Sequence, residues 1–335
     1  MKVWIPSIKT GSGSDVYMTR LAESLTHLGL TVELQWFPLY FELCPLLLRS
    51  IKPPPKTDLI FVNSWTAIAF TQHKIPVISC VHHCVHDIAY RPFKTTAQAI
   101  YHRLLIYPLE KAGLQAATQV VVGSQFTQQK LLQSFNIKSN LIPYSIDTIK
   151  FCPTPRDQRK KKQPFNLLFI GNQSKRKGFD LLASIMTKLG ADYKLYYTSG
   201  LRNQAMEQSI PYAQSLGLLS DPELIAAYQN ADSLLFPTRY EGFGYAAAEA
   251  MACGLPVVSS DCSSLPELVD DGKGGFLCSV DAIDSFVDKI KLLAGSPDLC
   301  KQMGEHNRHK ALEYFNPERM GREYIQLFEQ VLMLE

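Results

Sequence analysis

The sequence predicts an α/β protein of two doubly wound domains, each a parallel sheet with helices on both faces. Three observations carry this. Short apolar runs of strand length alternate with segments of helical period. The alternation breaks once, across residues 152–164, and then restarts. The chain has 335 residues, and at roughly 150 residues per domain that makes about two domains.

Met1–Pro6 reads as a strand, and Lys9–Ser14, with Gly11 and Gly13, as a loop. Val16–Leu28 carries apolar residues at helical spacing until Gly29 stops it. Leu30–Trp36 is a second strand; Asp58–Asn63, Pro76–Val81 and Gln119–Val122 are short runs of the kind buried on both faces of a sheet. Helical segments lie between them, Thr96–Ala117 among them. Residues 152–164 hold three prolines and the basic run Arg159-Lys160-Lys161-Lys162, which reads as a solvated linker or loop. Beyond it, Phe165–Ile170, Tyr193–Tyr197, Ser233–Phe236 and Leu255–Ser259 read as strands. Lys177–Leu189 and Tyr245–Ala252 read as helices, the latter stopping at Gly254, and Asp281–Glu335 is almost all helical. In such sheets ligands sit at the carboxyl edges of the strands, so a cleft between the two domains' edges is expected.

Composition narrows the classes. Hydrophobic residues make up 46% and charged residues 19%, which excludes disorder as the main state. A net charge of +3 is too small to imply nucleic acid. No apolar run approaches the ~20 residues that span a bilayer, and MKVWIP, followed by Lys9, Gly11 and Gly13, holds no signal-peptide core. The eight cysteines form no CxxC pair, as expected of buried thiols in a reducing cytosol.

The strongest chemical signal is residues 237–258, PTRYEGFGYAAAEAMACGLPVV. A strand ends in a glycine-rich turn where a helix of small residues begins. Glycines let backbone N–H groups approach an anion, and the helix N-terminus adds about half a positive charge, which suits a pyrophosphate. Glu241 lies before the helix and Glu249 within it; carboxylates there can accept hydrogen bonds from vicinal hydroxyls. A turn with a tightly packed helix explains the spacing equally well.

This stretch resembles the E-x7-E element of retaining glycosyltransferases of family 4, whose GT-B fold has two facing Rossmann-like domains. The resemblance implies that Glu241 faces the donor sugar and Glu249 binds the nucleotide ribose, with amides around Phe243, Gly244 and Tyr245 on the diphosphate. Tyr245 and Ala246 replace the usual aliphatic residue and proline. Residues 169–180, FIGNQSKRKGFD, resemble the family's segment in which an Arg and a Lys clamp the donor phosphates. Lys177 matches the Lys, Asn172 stands where the Arg is usual, and Arg176 or Lys175 can substitute. A basic helix N-terminus would oppose the helix dipole, which favours a functional reading. Residues 216–224, LGLLSDPEL, resemble the loop that reads the base. Leu219 is expected near the base ring, with Asp221 as N-cap and Pro222 at the first helical position.

In the first half, the resemblance places Gly13 under the donor phosphate and sugar, and a histidine after the strand Pro76–Val81 on the sugar. His82 fits best, before His83 and His86. Cys80, His82, His83, Cys84, His86 and Asp87 are all metal-ligand types, but neighbours in an extended segment point to opposite faces, so no metal is expected. Tyr144-Ser145 stands where the family has Asn-Gly. The implied domains are 1–150 on the acceptor side, 151–315 for the nucleotide sugar, and 316–335 as a helix returning to the first. The expected activity is transfer of a hexosyl unit from a UDP or GDP sugar to a glycan, glycolipid or similar hydroxyl. It uses no cofactor beyond that donor substrate. The catalytic residues would be His82, Glu241 and Lys177. Location is expected in the cytoplasm, with contact to the inner face of a membrane for a lipid-linked acceptor. A UDP-sugar epimerase and a catalytically dead binding protein are the alternatives.

Overall fold

A computed structural model describes residues 1–154, 164–199 and 209–333; the basic run at 159–162 lies outside them. The chain divides into two compact units, residues 1–145 with 317–335, and residues 146–316.

The first unit opens with β1 (Lys2–Ile8), α1 (Gly13–His27) and β2 (Thr31–Phe37), followed by β3 (Leu59–Asn63), α2 (Ala67–Phe70) and β4 (Val77–Val81). Then come α3 (Thr96–Tyr101), a five-residue π-helical stretch, α4 (Tyr107–Ala116), β5 (Gln119–Val122), α5 (Gln125–Phe135) and β6 (Asn140–Leu141). The sheet order is β2-β1-β3-β4-β5-β6, all parallel. Central β4 is buried at every position, whereas edge β2 alternates exposed and half-buried residues, as a covered centre and a half-open edge require.

The second unit holds β7 (Phe165–Phe169), α6 (Leu182–Leu189), β8 (Tyr193–Thr198), β9 (Ala213–Gly217), α7 (Asp221–Asn230) and β10 (Ser233–Phe236). It continues with α8 (Tyr245–Ala252), β11 (Val257–Ser260), α9 (Leu265–Leu268), β12 (Gly275–Cys278), α10 (Ile283–Gly295) and α11 (Pro297–Tyr314). Its parallel sheet runs β12-β11-β10-β7-β8-β9. Counted within the unit, that is the Rossmann order 3-2-1-4-5-6, which reverses between β7 and β10. Each unit is a Rossmann-like domain. The last helix, α12 (Pro317–Met333), belongs to the first unit; there the Tyr324 hydroxyl bonds that of Tyr17, and Ser24 Oγ donates to the Pro317 carbonyl at 2.6 Å.

The structure corrects several readings. Lys177 does not open a helix: Lys175–Lys177 is a 3-10 turn ended by Gly178 at φ 73°, and the α-helix begins at Leu182. No helix dipole therefore opposes these cations. The cap of α7 is Ser220, not Asp221, because Ser220 and Glu223 form a capping box; Pro222 is consequently second in the helix. The 96–117 helix passes through its π stretch just before Pro108, whose missing N–H breaks the α register. The almost wholly helical reading of the C-terminal stretch holds for residues 283–333, which fall in three helices, whereas β6, β9 and β12 are strands too short or too polar to stand out in the sequence. No disulfide joins any of the eight cysteines.

Candidate active site

The loops after β7 and β10 meet at the point where the second sheet reverses its order, where doubly wound sheets hold ligands. The first loop carries Lys175-Arg176-Lys177, the second Thr238–Gly244. They are stapled together. Arg239 N–H donates to the Arg176 carbonyl at 2.8 Å, and Arg176 Nη1 to the Tyr240 carbonyl at 2.7 Å. The Arg239 guanidinium donates to the Lys175 carbonyl, grips Asp180 with two bonds of 2.8 and 2.9 Å, and reaches Asp281 at 2.6 Å. Gly178 is obligatory on two grounds: its φ is positive, and a Cβ there would collide with the Pro237 carbonyl.

At the centre, Lys177 Nζ pairs with Glu241 Oε1, while Arg176 Nη1 stands 3.8 Å from the same oxygen. The Thr238 hydroxyl lies 3.0 Å from Glu241 Oε1, 3.1 Å from the Arg176 carbonyl and 3.5 Å from the Tyr240 carbonyl, one proton among three acceptors. Glu241 is buried. Burial alone would raise its carboxyl, but the charges of Lys177 and Arg176, with the bonds from Lys177 and Thr238, hold it below the ordinary carboxylate range. Burial lowers the Lys177 ammonium, and Glu241 opposes that. Asn172 sits in the same loop as Lys177, its carbonyl accepting from Ser174 N–H at 2.9 Å.

Helix α8 begins at Tyr245, with Gly244 at φ 103° preceding it. Ala246–Ala252 are all buried, since small side chains let the helix lie close to the sheet. Phe243 is buried and meets Tyr245 and Phe315 edge-on at 5.4 and 5.8 Å, while Ser264 Oγ donates to the Phe243 carbonyl at 2.8 Å. Glu249 is buried on α8 and accepts from the Tyr228 hydroxyl at 3.0 Å. Leu219 is half-buried just before α7, the helix that carries Tyr228.

In the first unit, Gly13 is the first residue of α1, after the Ser12 cap. The turn before it is tied by Asp15, which accepts from Thr10 N–H at 3.0 Å, Thr10 Oγ1 at 2.8 Å and Gly11 N–H at 2.8 Å. His82 follows β4. Its Nδ1 lies 2.7 Å from the Tyr144 hydroxyl, and its Nε2 is buried with no hydrogen-bond partner among the described residues. Burial pushes His82 down to about 4, against the pull of Asp15. The neighbouring metal-ligand types have other partners. His86 meets Glu110 at 3.1 Å, Asp87 meets Lys130 at 3.4 Å, and Cys84 Sγ lies 3.4 Å from Ser134 Oγ.

The structure thus brings Arg176, Lys177 and Glu241 together and places Phe243, Gly244, Tyr245 and Glu249 along α8 and its approach. Sequence reasoning missed Thr238, Arg239 and Asp180, which lie inside the quoted motifs as their staples. It also missed Tyr228 and Tyr144, which no local spacing marks.

Residues 153–310 match the family model described as glycosyl transferases group 1. Among solved structures, sucrose-phosphate synthase from Thermosynechococcus elongatus superposes with a TM-score of 0.84 at 18% identity, over 100% of both chains. The Anabaena protein HepE, in complex with UDP and glucose, gives 0.78 at 16% identity over 98% of this chain and 100% of its own. The chain shares the GT-B fold of these structures, and the match to the group 1 glycosyl transferase model falls on its second domain. In sequence the chain is similar to CapM, a capsular polysaccharide biosynthesis glycosyltransferase of Staphylococcus aureus. The two are 25% identical over 68% of this chain and 66% of CapM. The chain spans less than two thirds of the length of the curated relatives it matches, 41% in one case.

Proposed function

We propose that the chain is a hexosyltransferase that moves a sugar from a nucleotide diphosphate, UDP or GDP, to a hydroxyl of a glycan, glycolipid or similar acceptor. One observation carries this: two cations, Lys177 and Arg176, are fixed against Glu241 beside the N-terminus of α8. That is a pre-organised seat for a diphosphate whose charge grows as its bond to the sugar breaks. Glu249 takes the ribose hydroxyls, and Glu241 and His82 meet the sugar. The UDP-bound neighbour HepE supports UDP over GDP.

In this reading the acceptor oxygen bonds to the anomeric carbon on the face from which the diphosphate departs. The anomeric C–O bond to the diphosphate breaks, and the acceptor proton passes to the leaving phosphate oxygen. Configuration is retained and no protein base is needed. Lys177, Arg176 and the helix N-terminus bear the developing charge without a metal.

The acceptor is proposed to be lipid-linked and met at an anionic membrane face. Exposed Leu39, Tyr40, Leu43, Ile100 and Leu104 support this, gathered where the Tyr101 hydroxyl bonds the Glu42 carbonyl at 2.8 Å, with Arg49, Lys94 and Arg103 nearby in sequence. No helix among the described residues is long and apolar enough to cross a membrane.

A thermal-shift panel of nucleotides tests the donor. A nucleotide at 100 times its Kd adds about 2.7 kcal/mol, and no shift with any nucleoside diphosphate defeats the reading. NMR of the product anomer tests retention, and flotation with anionic against neutral vesicles tests the membrane contact.

A further inference from the structure

We propose that Arg239 is a positioning residue for the diphosphate seat. Without touching the ligand, it ties up Asp180 and Asp281 and so keeps Arg176 and Lys177 available to the diphosphate. This rests on the reading of those two cations as the seat, made above. Its own content is the arginine behind them.

The guanidinium is used by the protein itself. Nε donates to Asp281 at 2.6 Å, Nη1 to Asp180 at 2.8 Å and to the Lys175 carbonyl, and Nη2 to Asp180 at 2.9 Å. Each bond has a fixed direction, because arginine only donates. The grip on Asp180 is bidentate, a planar match that lysine cannot make. Asp281 reaches Nε from a left-handed backbone conformation, φ 64°, which aspartate accepts better than most residues. Lys175 and Asp180 flank Arg176-Lys177 in the chain, and one side chain holds both. Between them the Arg239 N–H holds the Arg176 carbonyl at 2.8 Å.

The charges of the cluster balance. Three cations, Arg176, Lys177 and Arg239, meet three carboxylates, Glu241, Asp180 and Asp281. Lys175 adds an exposed charge that water screens. The Arg239 side chain is only 14% exposed, so little solvent weakens its field. Without it, three carboxylates would face two cations where a dianion has to bind. Asp180, just past Gly178, would then be a carboxylate without its counter-charge, and it would compete with the diphosphate for Arg176 and Lys177. Arg239 thus sets the sign of the seat from behind.

The test is Arg239→Gln in the whole chain, with affinities measured for UDP and uridine, or for GDP and guanosine, whichever pair the wild type binds. The diphosphate Kd is expected to rise about tenfold, and the nucleoside Kd to stay within about twofold, because only the phosphate part meets the altered charge. In the double variant Arg239→Gln with Asp180→Asn the stranded carboxylate is gone, and the diphosphate Kd should return to within about threefold of the wild type. A staple that acted through shape alone would gain nothing from losing its partner as well. An unchanged diphosphate Kd, equal weakening of nucleotide and nucleoside, or no recovery in the double variant each overturns the proposal. Should thermal melting show Arg239→Gln unfolded, Arg239→Lys takes its place, keeping the charge and losing the fork. The diphosphate alone should then weaken, by about three- to fivefold, and an unchanged Kd overturns the proposal. If instead Arg176→Ala and Lys177→Ala both leave the diphosphate Kd unchanged, the seat itself is overturned, and this proposal with it.

Discussion

In the second unit the candidate residues are held by charge. Lys177 pairs with Glu241, and Arg239 clamps Asp180, so that backbone carbonyls and carboxylates surround three cations. In the first unit the candidate residue is neutral and is held by phenols: His82 against Tyr144, Tyr144 against Tyr17, Tyr17 against Tyr324. Both lie beyond the carboxyl ends of parallel strands, the same place in two similar sheets. The difference matches the ligand part each is proposed to meet. A diphosphate needs fixed positive charge, and fixed charge needs counter-charges to hold it in the absence of ligand. A sugar hydroxyl needs one directed donor, which a neutral ring supplies only if its proton is placed.

The comparison breaks in several ways, taken here from the largest effect down. If the first unit depends on a neutral histidine, acid should damage it. The folded value of His82 is about 4 against 6.5 unfolded. Stability is thus fully present above about pH 6.5 and is lost as pH falls toward 4, by about 3 kcal/mol at most. Melting curves across that window should be less steep in pH for His82→Gln than for the wild type, and equal slopes defeat the assignment. If the second unit reads a nucleotide, Glu249→Ala should weaken UDP or GDP binding by about 1.5–3 kcal/mol. Calorimetry checks this; unchanged affinity for every nucleotide bound by the wild type removes the ribose role.

If the cations of the basic turn serve the leaving group, Lys177→Ala should lower kcat at least about tenfold, or ~1.4 kcal/mol. A rate within twofold of wild type would place the phosphate clamp elsewhere. Asn172→Ala should cost less, because an amide carries no charge to offer the diphosphate. Steady-state rates of the two variants, compared side by side, sharpen the ranking.

Much of this was legible in the chain itself. Continuous apolar runs and helical patterns mark most strands and long helices, because burial on both faces of a parallel sheet demands such runs. Residues 237–258 and 169–180 located the second unit's site, because a glycine turn and a helix start are local in sequence. The basic turn reads as a helix start in the sequence because a 3-10 turn with an αL glycine and an α-helix share their first residues. Asp221 reads as the cap of α7, one residue past the true cap, although Ser220 and Glu223 spell the capping box.

The sequence by itself determined the two parallel-sheet domains, the break between them and the positions of Glu241, Glu249, Lys177 and His82 along the chain. Each follows from short-range patterns that side-chain burial and turn chemistry impose. Tertiary structure alone decided the partners. Lys177 meets Glu241 across 64 residues, Tyr144 meets His82 across 62, and Tyr228 meets Glu249 across 21. Such pairs are set by the tertiary arrangement; for Lys177 and Glu241, the sheet reversal between β7 and β10 brings two distant loops to one edge. No local propensity encodes which loop will be the neighbour.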